Sequence, residues 1–341
     1  MSENTLVAAS TANACPAELK AQLAAIVGAA NLRDDEETRR LFSEDIWSAS
    51  AYVTTLIVAP GSLGELSAVV KAAAQAGVSI APRGAGMSYT SGYIPADDHT
   101  ITLDMSRMNR ILAISGEDMT ITVEAGCNWL AIDEALKPMG LRLPFWGPMS
   151  GIYSTIGGGL SNLNAMFGAG HYGTSSESVI AISIVLADGS VLKTGARGKD
   201  GETPFYRHYG PDVAGLFMGD SGTLGIKAEI TFRLMRRPGF EDSASFSFKT
   251  GEIMLKALAE MARAGIASET CAFDPGLTKV RMRRMGMTAD VKALGAVMAK
   301  EKSVFGALKA GLKIATAGRS FIEEEEYPLH ITAEGRCKEA V

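Results

Sequence analysis

The sequence has few cysteines, no long apolar run and no surplus of basic residues, and each absence excludes a class of protein. Its four cysteines, Cys15, Cys127, Cys271 and Cys337, are far apart and include no C-x-x-C pair. The first twenty residues lack a basic segment followed by an apolar one, so they are not typical of a secretory signal. These features predict a soluble protein of a reducing cytoplasm.

Membrane proteins and nucleic-acid-binding proteins are disfavoured on similar grounds. The longest apolar stretches, such as residues 179–187, have about half of the roughly 20 residues that a bilayer span requires, so no membrane span is expected. Lys plus Arg number 33 and Asp plus Glu 38, which gives a net charge of −5. A mildly acidic chain without basic runs is a poor candidate for binding nucleic acid through its phosphates. No H-x-x-x-H or Cys-His spacing indicates a metal site.

Glycine is the residue that the chain has in excess. The 341 residues suggest two domains, since a domain usually has about 100 to 200 residues. The 37 glycines exceed the usual share of about 7% and gather in a few clusters. The clusters therefore need an explanation beyond ordinary turns.

Strand and helix signals predict an α+β domain at residues 46–238, preceded by a peripheral arm at residues 1–45. The arm is expected to be helical at 17–30 and to contain no strand. Ser62 and Glu65 have the form of a capping box that opens a helix. The predicted strands are 54–59, 78–81, 100–105, 111–114, 120–124, 179–186, 191–194 and 226–234. Strands 111–114 and 120–124 form one predicted hairpin, and 179–186 and 191–194 form another through a turn at Asp188-Gly189. A second helix is expected at 129–137, and residues 147–173 are expected to form a long ordered loop.

A second domain is expected at residues 239–341. Its predicted elements are a strand at 244–249, a helix at 250–265, a helix within 289–317, a solvated acidic turn at 323–326 and a strand at 327–333. The last strand begins a second strand-to-helix unit, which stops with the chain. Because a single turn of helix buries little, we expect this domain to be incomplete or to need a partner.

The first glycine cluster, at residues 82–88, follows a predicted strand. A loop that binds a diphosphate must direct several backbone N–H groups at one anion, and this requires backbone angles and space that mainly glycine provides. The alternative is a tight turn that merely needs glycine. The segment lacks the third glycine of G-x-G-x-x-G, and the sequence contains no G-x-x-x-x-G-K-[ST], so a Rossmann or P-loop site is disfavoured.

Two further clusters have the same combination of glycines and hydroxyl groups. One runs from Ser154 to Gly173, and the other, at residues 219–226, directly precedes the last predicted strand. One such loop is a weak signal, whereas three in this order within one domain are far more specific.

Taken together, the segments resemble the FAD-binding domain of the vanillyl-alcohol oxidase and p-cresol methylhydroxylase (PCMH) family, which includes the FAD subunits of glycolate oxidase and D-lactate dehydrogenase. The resemblance covers about residues 46–238 and is carried by Thr54-Thr-Leu-Ile-Val-Ala-Pro, Pro82-Arg-Gly-Ala-Gly-Met-Ser, Leu103-Asp-Met-Ser-Arg-Met-Asn-Arg-Ile, Thr122-Val-Glu-Ala-Gly, Ser154-Thr-Ile-Gly-Gly, Tyr172-Gly-Thr, Val185-Leu-Ala-Asp-Gly-Ser-Val-Leu and Gly222-Thr-Leu-Gly-Ile. It implies an FAD-binding domain of two α/β subdomains, followed by part of a ferredoxin-like substrate cap.

The resemblance also implies which residues bind FAD. Residues 83–88 would hold the pyrophosphate, the second cluster would line the rest of the cofactor, and the third would close over the adenine side. The implied residues are Pro82, Arg83, Gly84, Ala85, Gly86, Met87, Ser88, Ser154, Thr155, Ile156, Gly157, Gly158, Asn162, Tyr172, Gly173, Thr174, Ser221, Gly222, Thr223, Leu224, Gly225 and Ile226.

The chain departs from the family pattern at three places. Met87 stands where relatives with covalent flavin have His, so non-covalent binding is expected. Asp220 and Ser221 replace the usual Ser-Glu. Relatives often have an Asn near position 163, where this chain has Leu163 flanked by Asn162 and Asn164. Side-chain contacts at these positions are therefore not carried over.

The leading hypothesis is an FAD-dependent oxidoreductase that passes a hydride from a small hydroxy acid or alcohol to flavin N5. His171 is the one histidine placed near the predicted flavin, as a proton acceptor or as a loop histidine bonded to backbone. No other catalytic residue is assigned, and the electron acceptor is not identified. The alternatives are an FAD-binding fragment or non-catalytic subunit with an incomplete cap, and a nicotinamide dehydrogenase. Assembly with further copies or a partner subunit is left open.

Overall fold

The computed structural model describes residues 13–148, 151–197, 204–208, 210–282 and 326–337. The chain divides into two compact units, Met1–Arg237 and Pro238–Val341, and each is described here by itself. Within the described ranges, no helix is both long and apolar enough to cross a membrane.

The first unit contains six short helices and eleven strands in its described residues. The helices are α1 (Ala17–Val27), α2 (Glu36–Leu41), α3 (Leu63–Gln75), α4 (Trp129–Leu136), α5 (Ile156–Ser161) and α6 (Ala169–Tyr172). The strands are β1 (Leu32–Arg33), β2 (Ile57–Val58), β3 (Ile80–Arg83), β4 (Ile101–Asp104), β5 (Ile111–Ser115), β6 (Thr120–Glu124), β7 (Leu141–Arg142), β8 (Val179–Val185), β9 (Val191–Lys193), β10 (Ile226–Arg233) and β11 (Met235–Arg236).

The first sheet has the order β1-β2-β4-β3, with parallel pairing of β4 to both β2 and β3. Helix α3 connects β2 to β3 and begins at the predicted capping box. Ser62 Oγ accepts from Glu65 N at 3.1 Å, and Glu65 Oε2 accepts from Gly61 N at 2.8 Å. The parallel strands place the carboxyl end of β3, and the glycine loop after it, at one edge of this sheet.

The N-terminal segment is not the peripheral, strandless arm that the sequence suggested. Leu19, Leu23 and Val27 of α1 are buried in the core that also contains Leu66 and Val70 of α3. In addition, β1 pairs with β2 in the first sheet. The spacing of four residues places the three apolar side chains on one face of α1, and this explains why the segment packs instead of projecting.

The second sheet is antiparallel and has the order β5-β6-β10-β8-β9. The predicted hairpins β5–β6 and β8–β9 are confirmed, the latter with the turn at Asp188 and Gly189. Trp129 of α4 is fully buried under this sheet, with its ring 5.2 Å from Phe145 and 6.1 Å from Phe232. The same core contains Ile156 and Leu160 of the second glycine cluster.

Residues 151–173 contain the helices α5 and α6, whereas the sequence suggested a loop without helices. Thr155 caps α5 by accepting from Gly158 N at 3.4 Å, and Ile156 and Leu160 are buried on one side. Three consecutive glycines hide the helical pattern because glycine is an unfavourable residue inside a helix. The short helix forms because its apolar side chains are buried.

The second unit contains β12 (Phe240–Phe248), α7 (Gly251–Ala264), β13 (Glu269–Ala272), α8 (Pro275–Met282) and β14 (Tyr327–Gly335). Its sheet is antiparallel with the order β12-β14-β13. The strands β12 and β14 and the helix α7 match the predicted elements, but β13 was missed because its four residues give no pattern long enough to read. The helix predicted within 289–317 lies outside the described residues, as does the turn at 323–326 except for Glu326.

Candidate functional site

Three glycine-containing loops of the first unit meet at one place. We name them loop A (residues 82–88), loop B (residues 154–162) and loop C (residues 219–226). A Cβ on Gly84 of loop A would overlap Thr155 Oγ1 of loop B, and a Cβ on Gly222 of loop C would lie 3.2 Å from Pro82 Cγ. Ser221 N of loop C donates to Ser161 O of loop B at 2.9 Å. Every pair of loops is therefore in contact.

The loops enclose a continuous groove with three sections. The central section has an empty volume of about 560 Å³, the section beside loop A about 1070 Å³, and the section beside loop C about 880 Å³. Gly84, Thr155 and Asn162 line both the central and the loop A sections, while Pro82 and Gly225 line both the central and the loop C sections. Because neighbouring sections share lining residues, the groove has the elongated form that an extended organic ligand would need.

The backbone of loop A offers free hydrogen-bond donors. Within the described part of the chain, the N–H groups of residues 84–88 donate no hydrogen bond. Gly86 has a φ of +68°, which allows the loop to turn at the end of β3. Backbone N–H groups without a protein partner in a partly buried loop are suited to an anion such as a diphosphate.

The side chain of Arg83 anchors loop A and is not among the residues that line the groove. Its guanidinium donates to Glu44 O at 2.8 Å and lies 4.9 Å from the ring of Phe42 and 4.7 Å from the ring of Tyr93. Burial lowers the pKa of Arg83, and nearby negative groups oppose this shift. The predicted cofactor contact of Arg83 is thus not supported for its side chain, which is held by the N-terminal segment instead.

Loop B contributes a capped helix and a set of close backbone approaches. Gly157 packs against Ala125, where an added Cβ would lie 2.9 Å from Ala125 Cβ. Asn162 Oδ1 accepts from Thr90 Oγ1 at 3.1 Å, which ties loop B to the residues that follow loop A. The side chain of Ile156 is fully buried in the core. Among the predicted residues of loop B, Ile156 therefore has a structural side chain, and Ser154, Thr155, Gly157, Gly158 and Asn162 line the groove.

Loop C is organised by a buried ion pair that the sequence did not reveal. Lys227 Nζ lies 2.6 Å from Asp220 Oδ1, and both side chains are 2% exposed. Asp220 also accepts from Gly222 N at 3.0 Å and from Leu224 N at 3.3 Å. Burial lowers the pKa of Lys227, while the contact with Asp220 raises it. Lys227 is also among the residues that line the central section of the groove.

Asn164 lines the loop A section and was not among the predicted residues. Both Nδ2 and Oδ1 of its carboxamide are buried, and neither has a hydrogen-bond partner in the described part of the chain. The family resemblance places an Asn near position 163, and no signal in the sequence shows which of the flanking residues, Asn162 or Asn164, takes that role. Tyr93 was also missed, because its position at the groove depends on a tertiary contact with Arg83.

The predicted residues Tyr172, Gly173 and Thr174, and the candidate proton acceptor His171, are not among those that line the groove in the described ranges. His171 is exposed, with its ring 4.6 Å from that of Tyr172. Gly168, which precedes α6, packs so closely on Pro144 O that a Cβ would overlap it. This contact holds the α6 segment against Pro144 rather than against loop A, which explains the difference.

Metal ligands are not clustered in the described residues. No group of three or more His, Cys, Asp or Glu side chains there is arranged to hold a metal ion. The polar groups along the groove include the free N–H groups of loop A, the hydroxyl group of Thr155 and the carboxamide of Asn164.

Comparison with known families assigns the region that carries loops A and B. Residues 54–195 match the FAD binding domain family. This span includes the whole of loops A and B and ends before loop C.

Two curated relatives show the extent of the similarity. The chain is 28% identical over 281 residues to the glycolate oxidase subunit GlcD of Bacillus subtilis (strain 168), covering 81% of this chain and 58% of the relative. It is 32% identical over 237 residues to a mitochondrial D-lactate dehydrogenase [cytochrome] of Arabidopsis thaliana, covering 69% of this chain and 40% of the relative. The chain thus spans about half the length of these relatives.

Solved structures share the fold at lower identity. Alkyldihydroxyacetonephosphate synthase matches with a TM-score of 0.73 at 21% identity, over 97% of this chain and 58% of that chain. p-Cresol methylhydroxylase with bound substrate matches with a TM-score of 0.72 at 17% identity, over 95% and 61%. The architecture is therefore the mixed α+β arrangement that the sequence predicted.

Proposed function

We propose, on the premise that this chain belongs to the PCMH-type FAD oxidoreductase family, that it acts as an FAD-linked oxidase or dehydrogenase on a small hydroxy acid or alcohol. The observation that carries the proposal is the convergence of loops A, B and C on one groove whose loop A N–H groups are free. When bound there, FAD would supply the hydride acceptor, at flavin N5.

The residues present fit a dinucleotide. The N–H groups of residues 84–88 would bind the diphosphate, and the glycines at positions 84 and 157 allow the close packing on Thr155 and Ala125 that shapes the groove. We assign the loop C section to the adenosine half and the loop A section to the flavin half. Met87 lines the loop A section and has no nucleophilic nitrogen, which favours non-covalent binding.

The substrate class comes from the relatives. Their names specify glycolate and D-lactate, which are both small 2-hydroxy acids. For this chain we propose the same class, or a simple alcohol, with the substrate carbon placed beside the flavin half of the groove. We also propose a cytoplasmic location and assembly with further copies or a partner subunit. The proposal does not name the electron acceptor.

The test is to purify the chain, record its absorbance spectrum and titrate it with FAD. We expect flavin bands at one FAD per chain and bleaching of these bands under anaerobic conditions by glycolate, D-lactate or a related compound. Gly84→Val should abolish FAD binding, because its side chain would occupy the space of Thr155. The control Gly64→Ala, in α3, should bind normally, since its Cβ would meet only Ser62 Oγ in an ordinary contact at 3.9 Å.

Three outcomes separate the hypotheses. Tight FAD binding without reduction by a broad panel of hydroxy acids and alcohols would support a non-catalytic FAD-binding subunit and contradict the enzymatic proposal. Protein that remains colourless and does not bind added FAD would contradict both the enzymatic proposal and the FAD-binding subunit. Saturable NAD binding without flavin would instead favour a nicotinamide dehydrogenase.

A further inference from the structure

We propose that the carboxamide of Asn164 binds the imide edge of the flavin ring, formed by N3–H and the carbonyl groups beside it. The inference rests on the proposed function, since it concerns the same groove. Its starting point is that Nδ2 and Oδ1 of Asn164 are both buried and both without a hydrogen-bond partner among the described residues. Buried polar groups are paired in the great majority of cases, so an unpaired carboxamide needs an explanation.

The position of Asn164 is fixed by its backbone and by a glycine. Asn164 N donates to Gly159 O at 3.0 Å, and Asn164 O accepts from Ser175 N at 3.4 Å. A Cβ on Gly159 would lie 2.7 Å from Nδ2, so only glycine leaves room for the carboxamide at that place. The amide is thus held at the wall of the loop A section, beside Gly159 and Met166, which line the same section.

The chemistry of a carboxamide defines its partner. An Asn side chain presents one acceptor oxygen and two N–H donors in one plane. A matching ligand has an N–H group next to a carbonyl group, also in one plane, and the imide edge of the isoalloxazine ring has this arrangement. Adenine offers a neighbouring donor and acceptor as well, so the adenosine half of FAD could satisfy the same side chain.

The lining of the groove favours the flavin half. Met87, Tyr89 and Met166 give the loop A section apolar walls suited to the broad face of a three-ring system. Asn164 lines this section and does not line the loop C section, which we assign to the adenosine half.

The proposal predicts that a substitution of Asn164 affects FAD binding and apoprotein stability differently. If the carboxamide has no protein partner, replacing it by the similarly sized Leu removes an unsatisfied polar group and should leave the apoprotein as stable as before, or more stable. The same substitution should weaken FAD binding. A purely structural asparagine would give the opposite pair of results, since its loss would destabilise the apoprotein.

The experiment measures dissociation constants of FAD, N3-methyl-FAD and ADP for wild type, Asn164→Leu and Asn164→Ala, with Asn109→Ala as an exposed control outside the groove. Loss of one or two hydrogen bonds predicts about tenfold weaker FAD binding in both Asn164 variants and an ADP affinity within about twofold of wild type. Wild type should discriminate against N3-methyl-FAD, and the Asn164 variants should not. Urea unfolding of each apoprotein supplies the stability comparison.

The results that would overturn the inference are distinct. Equal losses of FAD and ADP affinity would place Asn164 at the adenosine half, and unchanged FAD affinity in a folded variant would remove it from the site. A marked loss of apoprotein stability in both variants would make Asn164 structural. Failure of wild type to bind FAD would contradict the proposed function itself, and the assignment of Asn164 with it.

Discussion

Leu163 has a backbone conformation that suits asparagine or glycine better than leucine. Its φ is +47°, in the left-handed region, and its side chain is partly exposed beside Gly219. The left-handed conformation costs an L-residue roughly 1–2 kcal/mol, and asparagine tolerates it best among the non-glycine residues. The backbone is therefore locally strained at Leu163.

We expect Leu163→Asn to raise the free energy of unfolding by about 0.5–1 kcal/mol, because it relieves this strain at little loss of buried apolar area. Urea unfolding of the apoprotein measures the change. Leu216→Asn is the control, since Leu216 is also exposed but has no positive φ. An equal effect in both variants would show that backbone conformation is not the cause.

Because of Cys127, we expect the free energy of unfolding to fall at alkaline pH. Its thiol is buried and donates to Asn109 O at 2.8 Å, and burial raises its pKa from an ordinary value of 9.0 to about 12. In the unfolded chain the thiol loses its proton near pH 9, whereas the folded chain retains it. The unfolded state is therefore favoured progressively as the pH rises from 9 towards 12.

Relative to Cys127→Ala, wild type should lose up to about 1.4 kcal/mol of unfolding free energy for each pH unit above 9. Urea titrations at pH 8, 9 and 10 measure the two slopes, and Cys337→Ser, at an exposed position, should follow wild type. Parallel curves for wild type and Cys127→Ala would contradict a raised thiol pKa.

At the scale of elements, loop C is joined to β10 by the pair Lys227 and Asp220. The pairing of β10 with β8 shifts register between Lys227 and Glu229, at the point where loop C enters the sheet. Asp220 in turn holds two N–H groups of its own loop. The pair thus determines the shape of the loop as well as its attachment.

Lys227→Met should destabilise the protein by about 3–5 kcal/mol, because it leaves the Asp220 carboxylate buried without its partner. The double variant with Asp220→Asn should recover part of the loss, since Asn can still accept from Gly222 N. Unfolding in urea measures both. Lys256→Met, which removes the exposed i,i+4 pair with Glu252, should change stability little; a comparable loss there would contradict the role of burial.

Local patterns were sufficient to predict much of the first unit. The capping box at Ser62, the turn at Asp188 and the three glycine clusters are each encoded within a few neighbouring residues, and the structure contains all of them. Asn164 and Lys227 could not be found in this way, because their roles depend on contacts and burial that arise only when distant segments meet.

The helix α5, where the sequence predicted a loop, was missed for a related reason. Gly157, Gly158 and Gly159 make the segment appear unstructured, but burial of Ile156 and Leu160 outweighs the low helical propensity of glycine. Gly157 and Gly159 also allow Ala125 and Asn164 to approach closely. Sequence pattern therefore identified the segment as special without showing that it is helical.

At the scale of the whole molecule, the N-terminal segment belongs to the core of the first unit. Leu23 is fully buried, and Leu19 and Val27 are nearly so. We expect Leu23→Ala to lower the free energy of unfolding by about 2–5 kcal/mol, the usual cost of such a cavity. Leu41→Ala, at an exposed position in α2, is the matched control. A negligible effect of Leu23→Ala, measured by urea unfolding, would restore the view of this segment as a peripheral arm.

The strand order of the second sheet has a consequence for biosynthesis. β10 lies between β6 and β8, so the two hairpins synthesised earlier cannot join into one sheet until β10 has left the ribosome. Loop C comes directly before β10 in the chain and completes the groove at the same moment. We therefore expect closure of this sheet and acquisition of the cofactor to be one late, coupled event in the life of the nascent polypeptide.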